Sequence, residues 1–370
     1  MTSSSTPQVL IERGAHCGLL TLNRPEALNA LSLAMVRSLT QALRQWQDDP
    51  TVALVALRGS NKAGAVGTPE RWFGHFCAGG DIRYFHDAAL AGDPSLEDFF
   101  TEEYALNHLV QTYPKPIVAF MDGVVMGGGM GLCQGIARRI VTERTRMAMP
   151  ETKIGLFPDV GGGHFLSRCP GHVGEYLALT GETLGADDAI RYGLADVHMA
   201  AADQAGLWAE LAQAGLTDPA AAAAWLDHRL PRTPIAWQPH AAMEAAFGQP
   251  SVVQIIQVLE HSADDWSHRT AQALRERSPL MLHVTLDQLR RARAMSLADA
   301  LRMERDMVWQ CFHLRPVRES ETVEGIRALA VDKDHQPRWK PQRIEGTDPQ
   351  EVARFFDSPW PPQAHPLRQL

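Results

Sequence analysis

Two carboxylates in one short segment are the residues of this chain with the clearest capacity for chemistry. Glu151 and Asp159 lie in MPETKIGLFPDVGGG, where each follows a proline and has apolar neighbours. An apolar environment raises the pKa of a carboxyl group towards values that suit acid–base catalysis. A simpler alternative stays open, in which Glu151 faces solvent and Asp159 caps the helix that follows.

Two glycine-rich segments precede these carboxylates, and each joins a predicted strand to a predicted helix. They are FCAGGDI, residues 76–82, and MGGGMGL, residues 126–132. Backbone N–H groups at such junctions lack partners, and glycine lets a ligand approach the backbone closely. Two N–H groups aimed at one carbonyl oxygen form an oxyanion hole. Taken singly, either segment is more typical of a tight turn or of close helix packing.

Several familiar catalytic patterns are missing from the sequence. It contains no GxSxG, which disfavours the nucleophile elbow of α/β-hydrolase thioesterases. It also lacks GxxxxGK[ST], GxGxxG and HExxH, which disfavours nucleotide and zinc-protease functions. The histidines show no ligand-like clustering, so we expect no metal site.

The elements that must position these residues alternate between strands and helices in the first 200 residues. Apolar runs predict strands at residues 18–22, 52–57, 116–120, 139–142 and 146–149, and helical spacing predicts a helix over 30–46. This alternation predicts an α/β layer structure in which helices cover mainly parallel strands.

The character of the chain changes near residue 201, where alanine-rich helical patterns begin. Pro279 suits the first position of one helix, and a second helix is predicted over residues 296–311. We therefore predict a catalytic core at 1–200, a mainly helical region at 201–345 and an extended tail at 346–370.

The order and spacing of the three segments resemble the crotonase (enoyl-CoA hydratase/isomerase) superfamily. LNRPEALNAL at 22–31 looks like the opening loop of that family, and GVVMGGGMGL at 123–132 like its second oxyanion segment. The closer resemblance is to its 3-hydroxyisobutyryl-CoA hydrolase branch. It rests on FFTEEYALNHLV at 99–110, MPETKIGLFPDVGGGHFLSR at 149–168, YLALTGETL at 176–184, SPLMLHVTLDQL at 278–289, MER at 303–305 and EGIRALAVDKDHQPRWKP at 324–341.

This resemblance implies a crotonase-like ββα spiral core with a helical C-terminal region, and it assigns roles to individual residues. Glu151 resembles the main catalytic acid, base or nucleophile of the family, and Asp159 the aspartate of the hydrolase branch. The implied oxyanion N–H groups belong to Gly80 and Gly128. The implied substrate-binding residues are Glu103, in the acyl pocket, and Ala27 and Leu28, in the loop that approaches the adenine of coenzyme A.

One departure from the superfamily pattern favours hydrolysis. Hydratases carry a second catalytic glutamate three residues after the middle glycine, and here that position is Gly131. The resemblance thus implies hydrolysis of a short 3-hydroxyacyl-CoA, with 3-hydroxyisobutyryl-CoA of valine catabolism as the expected substrate. An enoyl-CoA hydratase or isomerase and a non-catalytic CoA-binding protein remain alternatives. Residues 61–75 are longer than the family pattern, and residues 321–324 lack its Asp-Phe, which leaves the acyl group open.

Composition and charge restrict the partners. The chain has 370 residues, 45% hydrophobic residues and a net charge of -8, which is typical of a globular enzyme and disfavours nucleic acid. Its five scattered cysteines suggest reduced thiols, and no signal peptide or membrane span is apparent. We expect a cytoplasmic protein with an acyl-CoA substrate and no further cofactor. Whether it forms a homo-oligomer stays open.

Overall fold

A computed structural model describes residues 6–63 and 69–370 of the chain. Residues 64–68, within the long segment 61–75, lie outside the described part. The strands are β1 Val9–Arg13, β2 Cys17–Leu22, β3 Leu54–Gly59, β4 Ile117–Met121, β5 Val124–Met126, β6 Arg138–Val141, β7 Arg146–Ala148 and β8 Val197–His198.

After β8, all regular secondary structure of the described residues is helical. They are α1 Leu33–Gln47, α2 Pro69–Trp72, α3 Ile82–Ala91, α4 Ser95–Gln111, α5 Gly128–Gly131, α6 Gly162–Leu166, α7 Val173–Thr180, α8 Ala186–Arg191, α9 Gln204–Gln213, α10 Pro219–Arg229, α11 Ala241–Phe247, α12 Val252–His261, α13 Asp265–Arg275, α14 Pro279–Ala292, α15 Leu297–His313, α16 Glu321–Ile326 and α17 Pro349–Arg354.

The described residues form two compact units, each assembled from several stretches of chain. The first comprises residues up to 80, 109–147 and 184–236, and the second comprises 81–108, 148–183 and 237–370. These units group residues by their contacts in space, whereas the predicted boundaries at residues 200 and 345 divide the chain along its sequence. That division along the sequence stays a prediction.

The first unit is built on a six-stranded sheet in the order β1-β2-β3-β4-β6-β8. Strand β1 is antiparallel to β2, and every other neighbouring pair is parallel. Strands β2, β3 and β4 are buried along their whole length, as the continuous apolar runs of parallel strands require. The succession β1, β2, α1 is the predicted ββα arrangement, although β1, β5 and β8 were not predicted from the sequence.

Helices of the first unit cover the sheet with apolar side chains. Helix α1 starts at Leu33 because Ser32 accepts a hydrogen bond from the N–H of Met35 at 3.2 Å. Trp208 and Leu211 of α9 and Leu226 of α10 share one buried cluster with residues of β2, β3 and β4. The alanine-rich helices α9 and α10 therefore pack against the sheet of the first unit.

The second unit is almost entirely helical. Helix α14 begins at Pro279 with Ser278 as its cap, and α15 begins after the cap Ser296. Phe85, Phe99 and Phe100, on α3 and α4, pack in tilted and edge-to-face arrangements with ring centroids 4.8–5.5 Å apart. These long, buried helices supply the scaffold on which the carboxylates are placed.

The predicted elements correspond to observed ones with small differences at their ends. The strand predicted at 52–57 is observed at Leu54–Gly59, because the N–H of Val52 still bonds to the carbonyl of Asp49 at 3.1 Å, just after α1. The helix predicted at 30–46 begins only after the Ser32 cap. The α/β class and the mainly parallel sheet are confirmed.

Three further features of the described residues bear on the predicted partners. None of the helices there is long and apolar enough to cross a membrane. No group of three or more histidine, cysteine, aspartate or glutamate side chains in the same part of the chain is arranged to hold a metal ion. All five cysteines are buried, and no disulfide joins any of them in the described structure.

Candidate active site

Glu151 opens a short 3-10 turn, Glu151–Ile154, directly after Pro150. Gly155 ends the turn with a φ of 67°, and the N–H of Leu156 bonds to the Glu151 carbonyl at 3.0 Å. The Glu151 side chain is only 5% exposed, and its Oε2 has no hydrogen-bond partner among the described residues. The alternative of a solvent-facing Glu151 is therefore wrong, because the turn directs the carboxyl group inward.

Asp159 is also buried and is not a helix cap. The N-cap residue of helix α6 is Gly161, which has no side chain that could accept a capping hydrogen bond. The Oδ2 of Asp159 instead accepts a hydrogen bond of 2.8 Å from the hydroxyl of Tyr104, on α4. The next residue, Val160, has a φ of 55°, which a β-branched residue rarely adopts. Such strain is typical of loops that hold a functional side chain.

Glu103 brings a third carboxyl group into the second unit. It precedes Tyr104 on α4, is 2% exposed, and has an Oε1 without a hydrogen-bond partner in the described structure. The charges of Asp159 and Glu151 both act on Glu103. Three acidic residues predicted from two parts of the sequence therefore form one buried cluster.

Burial and mutual repulsion set the protonation of this cluster. Burial, and then the nearby Asp159 charge, hold the pKa of Glu151 well above its usual range. Burial, with the charges of Asp159 and Glu151, raises the pKa of Glu103 in the same direction. Burial raises the pKa of Asp159 to about 6, while the Tyr104 hydrogen bond opposes the rise. A pKa of about 6 leaves Asp159 mainly ionised at neutral pH.

Glu304, on α15, was missed as a functional residue, although MER was part of the family resemblance. It is fully buried, and its two oxygens accept hydrogen bonds from the N–H groups of Gly161 at 2.7 Å and Gly163 at 2.9 Å. Burial raises the pKa of Glu304 to about 8, although the two N–H donors oppose the rise. Tyr104 was also missed, since its role depends on a partner 55 residues away.

The predicted oxyanion residues lie in the first unit, where strand-like pairing joins the two glycine segments. The N–H of Cys77 bonds to Val124 at 3.0 Å, and the N–H of Met126 bonds to Cys77 at 2.9 Å. Gly79 has a φ of 102°, and a Cβ atom added to it would lie 3.6 Å from the nitrogen of Gly128. The segments that carry Gly80 and Gly128 are therefore neighbours.

The N–H groups of these glycines are available to a ligand. Gly128 is the first residue of α5, where an N–H has no acceptor within the helix. No hydrogen bond from the N–H of Gly80 or of Gly128 is found within the described residues. Gly131, in the same helix, is buried and carries no side chain, so the position of the second hydratase glutamate holds no acid.

The opening loop lies beside the first glycine segment. Leu28 has a φ of 52° and is 40% exposed, and its carbonyl accepts a hydrogen bond from the N–H of Ala78 at 3.1 Å. Asn29 is fully buried and fixes the loop by donating to the carbonyls of Ser60 and His75. The opening loop therefore lies beside the segment that carries Gly80 in the first unit, and a ligand role for Ala27 and Leu28 stays a prediction.

Comparison with known proteins identifies the family. The model of the enoyl-CoA hydratase/isomerase family matches residues 17–356, and the chain belongs to this family. The probable 3-hydroxyisobutyryl-CoA hydrolase 3 of Arabidopsis thaliana is 37% identical over 363 residues, which cover 96% of this chain and 92% of that protein. The mitochondrial 3-hydroxyisobutyryl-CoA hydrolase of Gallus gallus is 35% identical, with coverages of 96% and 90%.

A solved structure confirms the crotonase-like fold. The crystal structure of an enoyl-CoA hydratase from Rhodobacter sphaeroides 2.4.1 has a TM-score of 0.81 and 35% sequence identity, and covers 95% of this chain and 98% of that one. The family model confirms the predicted resemblance to the superfamily, and the curated relatives confirm the resemblance to its hydrolase branch. The roles of individual site residues stay predictions.

Proposed function

We propose that this protein hydrolyses a short 3-hydroxyacyl-CoA thioester, with 3-hydroxyisobutyryl-CoA as the preferred substrate, to the free acid and coenzyme A. The observation that carries the proposal is the buried cluster of Glu151, Asp159 and Glu103, together with Gly131 in place of an acid. Relatives named as 3-hydroxyisobutyryl-CoA hydrolases support this substrate.

In the proposed reaction, the thioester carbonyl oxygen accepts hydrogen bonds from the N–H groups of Gly80 and Gly128. These donors stabilise the negative charge that develops on the oxygen when the carbonyl carbon is attacked. Ala27 and Leu28 contact the adenine end of coenzyme A. The glycine segments thus bind and polarise the thioester through backbone N–H groups, and the reacting side chain comes from elsewhere.

Glu151 drives the chemical step in this proposal. As a base, it takes a proton from water while the hydroxide attacks the carbonyl carbon, and the C–S bond then breaks. As a nucleophile, its carboxylate attacks first and gives an anhydride, which water then hydrolyses. Both routes consume one water and release the acid and coenzyme A. The raised pKa of Glu151 makes it a stronger base once it is ionised.

Glu103 and Asp159 recognise the 3-hydroxyl group of the acyl chain in this proposal. Burial raises the pKa of Glu103 well above its usual range, which favours the protonated carboxyl group that donates a hydrogen bond in this proposal. Asp159 is mainly ionised at neutral pH and accepts one. A hydroxyl group offers both a donor and an acceptor, so this pair suits a 3-hydroxyacyl chain better than a plain one.

The proposal is tested by a thiol-release screen over short acyl-CoA esters, branched and unbranched, with and without a 3-hydroxyl. We expect kcat/KM to be highest for 3-hydroxyisobutyryl-CoA and lower for isobutyryl-CoA. Equal rates for esters with and without the hydroxyl would contradict the assigned substrate. Lack of thiol release from every ester would reject the hydrolase function.

Hydration or isomerisation of an enoyl-CoA is the second candidate, because a structure of similar fold is described as an enoyl-CoA hydratase. An absorbance assay with crotonyl-CoA separates the two reactions, since hydration removes the conjugated double bond without releasing a thiol. We expect little or no hydration, because Gly131 offers no second acid. A third candidate, binding of coenzyme A without turnover, predicts that an acyl-CoA binds and is recovered unchanged.

A further inference from the structure

We propose that Glu304 and Gln288 are positioning residues that hold the Asp159 loop, residues 158–163, in the backbone conformation needed for the reaction. The inference rests on the proposed function, because it concerns the aspartate assigned to that reaction. It adds two residues on helices α14 and α15 that do not themselves touch the substrate.

Hydrogen bonds from this pair reach both ends of the loop. Gln288 donates from its Nε2 to the carbonyl of Pro158 at 2.7 Å, directly before Asp159. Glu304 accepts from the N–H groups of Gly161 and Gly163, directly after the strained residue. The two side chains also bond to each other, from Gln288 Nε2 to Glu304 Oε1 at 3.0 Å.

The loop needs such support because of its backbone. Val160 has a φ of 55°, in the left-handed region that a β-branched side chain disfavours. Conformations of this kind persist only where surrounding contacts hold them. The side chain of Asp159 accepts a hydrogen bond from Tyr104. The backbone direction at Val160 sets where the loop continues from that carboxylate.

Glu304 serves the loop through both of its side-chain oxygens, which accept hydrogen bonds from the N–H groups of Gly161 and Gly163. A carboxylate accepts at both oxygens, so it satisfies two N–H groups at once. An amide accepts only at its oxygen, so Glu304→Gln turns an NH₂ group towards one of those donors or towards Gln288. The packing leaves little room for adjustment, because a Cβ on Gly163 would lie 3.0 Å from Glu304 Oε1 and 3.1 Å from Gln288 Nε2.

The test compares Glu304→Gln and Gly163→Ala with Glu175→Gln in the full-length protein. Glu175 is a matched control because it is a buried carboxylate of the same unit that pairs with Arg293 at 2.6 Å and not with the loop. Backbone amide exchange is measured over the peptide that contains residues 158–163. Thiol release from 3-hydroxyisobutyryl-CoA then gives kcat and KM separately.

We expect amide exchange in the loop to rise at least about tenfold in both test variants, because a buried N–H loses its acceptor. We also expect kcat to fall by about tenfold or more with KM changed by less than about threefold, since the substrate is still bound. Glu175→Gln should lower the melting temperature without changing loop exchange or kcat.

Unchanged loop exchange in Glu304→Gln would overturn the inference, whatever the activity. Faster exchange with an unchanged kcat would also overturn it, since the pair would then be structural only. If wild-type protein releases no thiol from any ester, the proposed function fails instead, and the exchange measurement still decides whether this pair holds the loop.

Discussion

The glycine segments of the first unit and the carboxylate cluster of the second unit offer chemistry of different kinds. The first presents backbone N–H groups, which every residue except proline possesses, and glycine there supplies space and unusual dihedral angles. The second presents side chains whose reactivity comes from burial and from one another. The glycine segments should therefore lose their function when a side-chain atom is added to them. The carboxylate cluster should lose its function when a carboxyl oxygen is replaced.

The largest effect is expected from Glu151→Gln, which removes the base or nucleophile without changing the shape of the side chain. We expect kcat for thiol release to fall on the order of 10³-fold or more, because acid–base or covalent catalysis is lost. The measurement is thiol release under saturating substrate. Substantial residual turnover would contradict the assignment of Glu151.

The same variant makes a prediction about stability. A carboxyl group whose pKa is raised on folding loses stability for the native state as pH rises from its unfolded pKa to its folded pKa. Glu151→Gln removes this penalty, so its melting temperature should exceed that of wild type at neutral and higher pH, by about 2 °C. The difference should shrink towards pH 4. An unchanged or lower melting temperature at high pH would argue against a buried acid.

Adding a side-chain atom should disrupt the glycine segments of the first unit. In Gly129→Ala, the added Cβ would lie 2.4 Å from the carbonyl oxygen of Cys77, which forces the two glycine segments apart. We expect kcat to fall on the order of 10²-fold, comparable to the loss of one oxyanion donor. Thiol release and a melting curve are measured together.

The control for that variant is Gly206→Ala, on α9 of the same unit. A Cβ at Gly206 meets no atom within 4 Å, so it should leave kcat unchanged and raise stability slightly through its helix propensity. If Gly129→Ala keeps wild-type kcat with only a lower melting temperature, the glycine segments are structural and the proposed oxyanion role is wrong.

Glu103 should affect substrate choice more than the chemical step. Glu103→Ala is expected to lower kcat/KM for 3-hydroxyisobutyryl-CoA by about tenfold, because the hydroxyl group loses a donor. The value for isobutyryl-CoA should change little. Glu102→Ala, which removes the preceding carboxylate on α4, serves as the control. An equal loss of kcat/KM for both esters would mean that Glu103 takes part in the chemical step and does not recognise the 3-hydroxyl group.

The sequence predicted the two sites unequally. The glycine segments and the opening loop are local patterns, and Gly80, Gly128 and Leu28 occur in neighbouring segments, as expected. The surroundings of the carboxylates are not local. Tyr104 meets Asp159 across 55 residues, and Glu304 meets Gly161 across 143, so no pattern near either carboxylate could reveal them. Strand β1 was missed for a related reason, because three of its five residues are exposed and it shows little of a buried run.

The smallest effect is expected at Tyr104, and it concerns the pH profile. The Tyr104 hydroxyl stabilises the ionised form of Asp159, whose pKa lies at about 6. Tyr104→Phe removes that bond, so the pKa of Asp159 should rise further, and an activity that requires the carboxylate should be lost at a higher pH. We expect the acidic limb of kcat/KM to move upward by up to about one pH unit, with only a few-fold loss at the plateau. A lower plateau with an unmoved limb would mean that Tyr104 supports packing in the second unit, and that the charge of Asp159 does not limit the reaction.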